Sequence, residues 1–193
     1  MKIQLKNVMF LLFIVLFLGT TTNFAKSGLN LGFNGIGGHI GYVMPEDPID
    51  NTLDFGVQAD LGNYNNQIFF TAFVDYWSKS YNTGNYEWSY SVTTLGLLGK
   101  YYFKETSGFK PYVGAGPDFI ISSWESKYKG PDYGYIFDLN LSDSDSKIGI
   151  DIAAGADKKL SDNMKLYAEA KYHIGGIDQF VINVGVTYLL GKK

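Results

Sequence analysis

The 193-residue chain contains neither cysteine nor arginine. Without thiols it has no disulfides and no thiolate metal sites. Without a guanidinium it lacks the planar fork that grips phosphate at two points. Long apolar runs are scarce as well. The longest, Val8–Leu18, holds eleven residues, whereas a membrane-spanning helix takes about 20. Lys2 and Lys6 precede it, and Gly19, three threonines and Asn23-Phe24-Ala25 follow. A basic start, a short apolar middle and a small-residue exit are the order of a cleaved signal peptide. Residues 1–25 are therefore expected to be removed on export, leaving 26–193 as one domain. That removal leaves 14 lysines against 19 acids, net −5. An acidic chain without arginine is a poor binder of nucleic acid.

Aromatic residues, by contrast, make up 17% of the chain, and glycine is abundant. Between Lys165 and Ile174 two sets interleave: Leu166, Ala168, Ala170, Tyr172 and Ile174 against Lys165, Tyr167, Glu169, Lys171 and His173. Only a strand separates such sets onto opposite faces. The split recurs about eight times, near 32–44, 53–61, 67–77, 89–103, 110–121, 148–157, 165–174 and 180–190. A soluble sandwich also alternates, but here the polar face is rich in both glycine and charge. Gly56, Gly96, Gly114, Gly149, Gly155 and Gly185 share it with Asp54, Asp75, Lys100, Asp118, Asp151, Glu169 and Lys171. Glycine weakens a surface strand, yet inside a narrow barrel it leaves room for long neighbours.

The pattern predicts an all-β fold: an eight-stranded antiparallel up-and-down transmembrane β-barrel behind a cleaved signal peptide. Connections alternate sides, with short periplasmic turns at 62–66, 104–109 and 158–163. Longer outer loops are expected at 45–52, 78–88 and 122–147, as in outer-membrane barrels. In this order Trp77, Trp88 and Trp124 fall at the outer rim and Tyr64, Tyr101, Phe103 and Tyr188 at the inner rim, the places for two aromatic girdles. Pro117 cannot donate to a ladder. It predicts either a bulge or a one-residue slip that would turn Phe119 and Ile121 inward.

Asp75, Lys100, Asp118, Asp151, Glu169 and Lys171 are expected to meet in the lumen as a structural ion-pair network, because side chains fill an eight-stranded barrel. No catalytic, cofactor or metal site is predicted. His39 and His173 read as lumen-facing fillers. The acidic stretch from Asp138 to Asp145 lacks the glycine and the bidentate Glu of a calcium loop and reads as a solvated hairpin tip.

The runs Gly96-Leu-Leu-Gly-Lys-Tyr-Tyr-Phe103, Lys110-Pro-Tyr-Val-Gly-Ala-Gly116, Leu166-Tyr-Ala-Glu-Ala-Lys-Tyr172 and Val184-Gly-Val-Thr-Tyr188 resemble small outer-membrane β-barrel proteins of the OmpA/OmpX-like superfamily. The resemblance covers most of residues 28–190. It implies a bacterial outer-membrane location, with membrane lipids and the barrel assembly machinery as partners, and a role as anchor, adhesin or surface contact rather than enzyme. An extracellular partner is expected at loop 122–147. The rival from another class is a barrel that transports or modifies lipids or small hydrophobic compounds, with its site near His173. A secreted soluble barrel would place apolar side chains inside, the reverse of what Glu169 and Lys171 suggest.

Overall fold

The computed structural model describes residues 29–129 and 141–190. Residues 1–25, expected from the sequence to be a signal peptide, lie outside them. The described residues form β1 (Asn30–Pro45), β2 (Thr52–Asn63), β3 (Ile68–Thr83), β4 (Tyr86–Tyr102), β5 (Phe109–Tyr128), β6 (Leu141–Ser161), β7 (Met164–Ile174) and β8 (Gln179–Leu189). Each pairs antiparallel with the next, and β8 returns to β1 from Gly35↔Leu189 to Pro45↔Gln179, closing the barrel. Closure removes every free edge, so the backbone needs no disulfide to stay paired.

Side chains partition as the alternation predicts. Ile36, Val57, Ile152 and Val184 point outward and are 49–55% exposed. Thr71, Asp75, Lys100, Glu169, Lys171, Asn183 and Thr187 point inward and are buried. A wall of exposed aliphatic residues around a polar interior is stable only if the wall meets lipid. The lumen glycines accommodate large side chains. A Cβ at Gly155 would lie 2.6 Å from the Tyr112 hydroxyl, and one at Gly185 equally close to that of Tyr167. Gly96 similarly makes room for the Phe73 ring.

Pro117 causes neither a bulge nor a slip. The β4–β5 pairing runs to Gly96↔Asp118 and resumes at Gly99↔Ala115 in the same register. Phe119 pairs with Leu95, and Ile121 with Thr93, on the outer face. The missing donor is absorbed by a local gap in the ladder. There the Gly116 backbone approaches the Leu97 carbonyl so closely that a Cβ would collide with it.

Two further expectations need correction. The long outer loops at 78–88 and 122–147 are largely strand. β3 and β4 continue to a two-residue turn at 84–85, while β5 reaches Tyr128 and β6 starts at Leu141. Asp143 and Asp145 thus sit on β6 rather than at a hairpin tip; residues 138–140 lie outside the described set. The second concerns tryptophan. Trp77, Trp88 and Trp124 stand at the outer end, but on the lumen-side face of their strands. Trp77 shares the parity of Asp75 and is 2% exposed, hydrogen-bonded through Nε1 to Gln179 Oε1 at 2.8 Å. Trp88 shares the parity of Lys100, and Trp124 that of Asp118. The outward rings at this level are Tyr42, Tyr76, Tyr172 and Phe180, 36–47% exposed. At the periplasmic level Tyr64, Tyr101, Phe103 and Tyr188 are exposed as expected.

Candidate functional site

The lumen is the one region where buried charge gathers among the described residues, and its contents follow from which positions of each strand face inward. The strands run antiparallel, so inward residues at matching heights meet across the bore. All six residues expected there are buried in it, but they divide among separate groups rather than one network.

In the middle of the bore, Lys171 on β7 bonds Asp75 on β3 and sits 3.6 Å from the centroid of the Phe73 ring. Asp75 also faces His39 Nε2 at 3.2 Å, with Asp54 at 3.5 Å from the same nitrogen. The other ring nitrogen of His39 contacts the Tyr167 hydroxyl at 2.8 Å. Nearer the periplasm, Lys100 on β4 reaches Glu169 on β7 at 2.8 Å. Glu169 also accepts a hydrogen bond from the Tyr112 hydroxyl at 2.8 Å, and Lys100 lies over the Tyr112 ring. Below that, Lys165 bridges Asp60 at 2.9 Å and Asp157 at 3.0 Å, and the Tyr102 hydroxyl donates to Asp157 at 2.8 Å.

Towards the outside, Asp118 and Asp151 meet His173 instead of a lysine. His173 Nδ1 contacts Asp118 Oδ2 and stands 3.5 Å from Asp151 Oδ1, while Nε2 contacts the Gly175 carbonyl. Above this level Val43, Trp77, Val92, Ile120 and Val181 pack into an apolar plug, with Ile49, Tyr90 and Ile177 against it. His173 is 1% exposed beneath it.

Sequence reasoning missed several members of the polar groups besides the six, among them His39, Asp54, Tyr112 and Tyr167. The signal is present in parity, since all four occupy inward positions of their strands. It is easily overlooked, because histidine and tyrosine in a bore pass for fillers.

Beyond the bore, β3 to β6 rise past the rim by about six residues each, on the order of 20 Å along the strand. Their lumen-side face carries Trp88 stacked on Trp124 at 6.1 Å and Tyr86 against Tyr128 at 5.2 Å. Their opposite face is hydroxylic, where Ser89, Ser91, Ser123, Ser142 and Ser144 border a shallow cleft beside Glu125.

A polar, plugged lumen inside an apolar closed barrel is the anatomy of one protein class. The sequence model for the outer membrane protein beta-barrel domain matches residues 11–189. The chain belongs to that family. It is an eight-stranded barrel located in the bacterial outer membrane. Neisserial surface protein A is similar in fold, with a TM-score of 0.59, at 15% identity over 84% of this chain and 100% of that one. The attachment invasion locus protein Ail of Yersinia pestis aligns with a TM-score of 0.51 at 14% identity, covering 83% and 100%. A major outer membrane protein of Thermus thermophilus gives 0.56 at 11%, covering 81% and 98%. No curated protein matches the sequence.

Proposed function

We propose that this outer-membrane barrel is a non-enzymatic surface-contact protein. Its lumen ion pairs form a rigid core, and the extension of β3 to β6 is its working part. The observation that carries this reading is the extension itself. A bilayer needs only about 9–11 residues per strand, yet β5 and β6 have 20 and 21. Strand built beyond the membrane presents side chains in fixed positions, and Trp88, 49% exposed, is a large ring held ready by its stack on Trp124. Rigid exposed aromatics flanked by hydroxyls are the usual anchors of recognition surfaces.

Charge narrows the partner. The described outer segments carry Glu46, Asp47, Asp50, Glu87, Glu125, Asp143, Asp145 and Asp178 against Lys79, Lys127, Lys129 and Lys147. Ail has been crystallised with the heparin analogue sucrose octasulfate; an acidic surface without arginine fits a neutral or cationic partner instead. The lipid-modifying alternative is disfavoured by the apolar plug over His173 and by the pairing of that ring with two carboxylates.

Cells displaying the protein are expected to bind neutral glycans or extracellular matrix proteins on an array. The double variant Trp88→Ala/Trp124→Ala is expected to lose at least tenfold in that binding while remaining a folded barrel. Absence of binding by the unaltered protein, or equal binding by the variant, refutes the proposal.

A further inference from the structure

We propose that Asp118, Asp151 and His173 form a binding site for one divalent cation of the Zn2+ class, set inside the barrel beneath the outer plug. Three independent features converge on it. The first is donor geometry. His173 Nε2 donates to the Gly175 carbonyl, which leaves Nδ1 facing the two carboxylates, where it donates a hydrogen bond to Asp118 or, once a metal displaces its proton, offers its lone pair. An imidazole fixed through its second nitrogen by a backbone carbonyl is the usual outer support of a metal-bound histidine. One ligand atom from each residue lies within 4.8 Å of the others. Metal–ligand bonds of about 2.0–2.2 Å in a tetrahedral set hold ligand atoms about 3.4 Å apart, close to the 3.5 Å between Nδ1 and Asp151 Oδ1, while Nδ1 and Asp118 Oδ2 part by about an ångström to admit the ion.

The second feature is unsatisfied capacity. Neither carboxylate oxygen of Asp151 has a hydrogen-bond partner among the described residues, and Asp118 Oδ1 has none either. Asp151 is 1% exposed and Asp118 4%. Buried carboxylate oxygens without donors are costly unless a cation meets them.

The third is charge. The fully buried lumen groups are five carboxylates (Asp54, Asp75, Asp118, Asp151 and Glu169) against two lysines, Lys100 and Lys171. Both lysines are already engaged, with Glu169 and Asp75. A divalent ion between Asp118 and Asp151 makes that group neutral, whereas an imidazolium alone leaves it at −1. The other histidine–carboxylate group, His39 with Asp54 and Asp75, has the same spacing and an unpartnered oxygen on each carboxylate, but it differs in charge and in what holds its ring. Lys171 supplies it with positive charge, and a tyrosine hydroxyl rather than a carbonyl meets His39 Nδ1. Gly149 is what allows the site to form, since a Cβ there would lie 2.8 Å from both Asp118 Oδ1 and His173 Nε2.

Full-length protein extracted from membranes in detergent, stripped with EDTA and re-equilibrated with Zn2+ tests the site by metal analysis. One zinc per chain is expected for the unaltered protein and for Asp54→Asn, with retention reduced at least tenfold in Asp151→Asn. Zinc-edge X-ray absorption of the unaltered protein is expected to show a single imidazole among oxygen neighbours, so the test stands even if Asp151→Asn does not fold. A barrel that retains no zinc, a spectrum without imidazole, or zinc held by Asp151→Asn but lost from Asp54→Asn overturns the assignment.

Discussion

The Lys100–Glu169 pair is where the lumen's contribution to stability is most directly measurable. Both groups are buried, 3% and 6% exposed, at 2.8 Å from each other, and Glu169 has a second donor in Tyr112. Lys100→Met removes the ammonium and its contact with the Tyr112 ring, leaving a buried carboxylate with one neutral hydrogen bond. Breaking a buried pair on one side costs about 3–5 kcal/mol, whereas replacing both partners by neutral groups of similar size is close to neutral. With a urea dependence of roughly 2 kcal/mol per molar, the single change is expected to lower the unfolding midpoint by on the order of 2 M. The double variant Lys100→Met/Glu169→Gln keeps an acceptor for the Tyr112 hydroxyl and is expected to recover most of that loss. Equilibrium unfolding in micelles, followed by tryptophan fluorescence, reads both. The reasoning fails if the midpoint of Lys100→Met falls by less than about a quarter of the shift expected from that urea dependence, or if the double variant is no more stable than the single one.

Other consequences can be checked in parallel. Gly155→Val forces a side chain onto the Tyr112 ring, and overpacking of this kind costs about 1–3 kcal/mol; the same unfolding assay would show no shift if that space were empty. Pro117→Ala restores a donor at the β4–β5 gap without touching the β5–β6 ladder, so stability is expected to stay level or rise, and a clear loss would mean that proline is required there. The plugged bore is expected to give no steady conductance in planar bilayers, and a stable open channel would contradict the packing of Trp77, Val92 and Ile120. At the outer end, Lys129 holds the Glu87 carboxyl below its ordinary range. Because the folded value is depressed, that contact persists above the ordinary carboxylate range and is lost as pH falls through the lowered value. The protection of the Lys129 amide, whose N–H bonds the Asn85 carbonyl, measured relative to its intrinsic exchange rate at each pH, is expected to fall only on such acidification.

The fold was largely legible because a period of two is a strong constraint. Once Leu166 and Glu169 are assigned to opposite faces, every residue of β7 is placed, and cross-strand pairing carries the assignment around the ring. The bore residues Asp75, Lys100 and Glu169 were legible for the same reason. Which of them meet was not, because partner choice depends on stagger between strands distant in sequence, such as β3 and β7. Lys171 therefore meets Asp75, and Asp118 meets His173, with no trace of either pairing in local pattern. The outer segments misled for a different reason. Serine-rich stretches such as Ser122-Ser123 and Ser142–Ser146 have the composition of loops, and only ladder pairing with equally polar neighbours makes them strands. The tryptophans were read by height and not by parity, although parity was available.

The account depends on which face of the barrel wall meets hydrocarbon. Nitroxide labels at Val57, Ile152 and Val184, with a fourth at Ser144 on the outer extension, report this through relaxation by oxygen and by a water-soluble nickel complex. The first three are predicted to be accessible to oxygen and shielded from nickel in lipid vesicles, with Ser144 showing the opposite. Nickel access at the three wall positions, or shielding from both reagents, would contradict it.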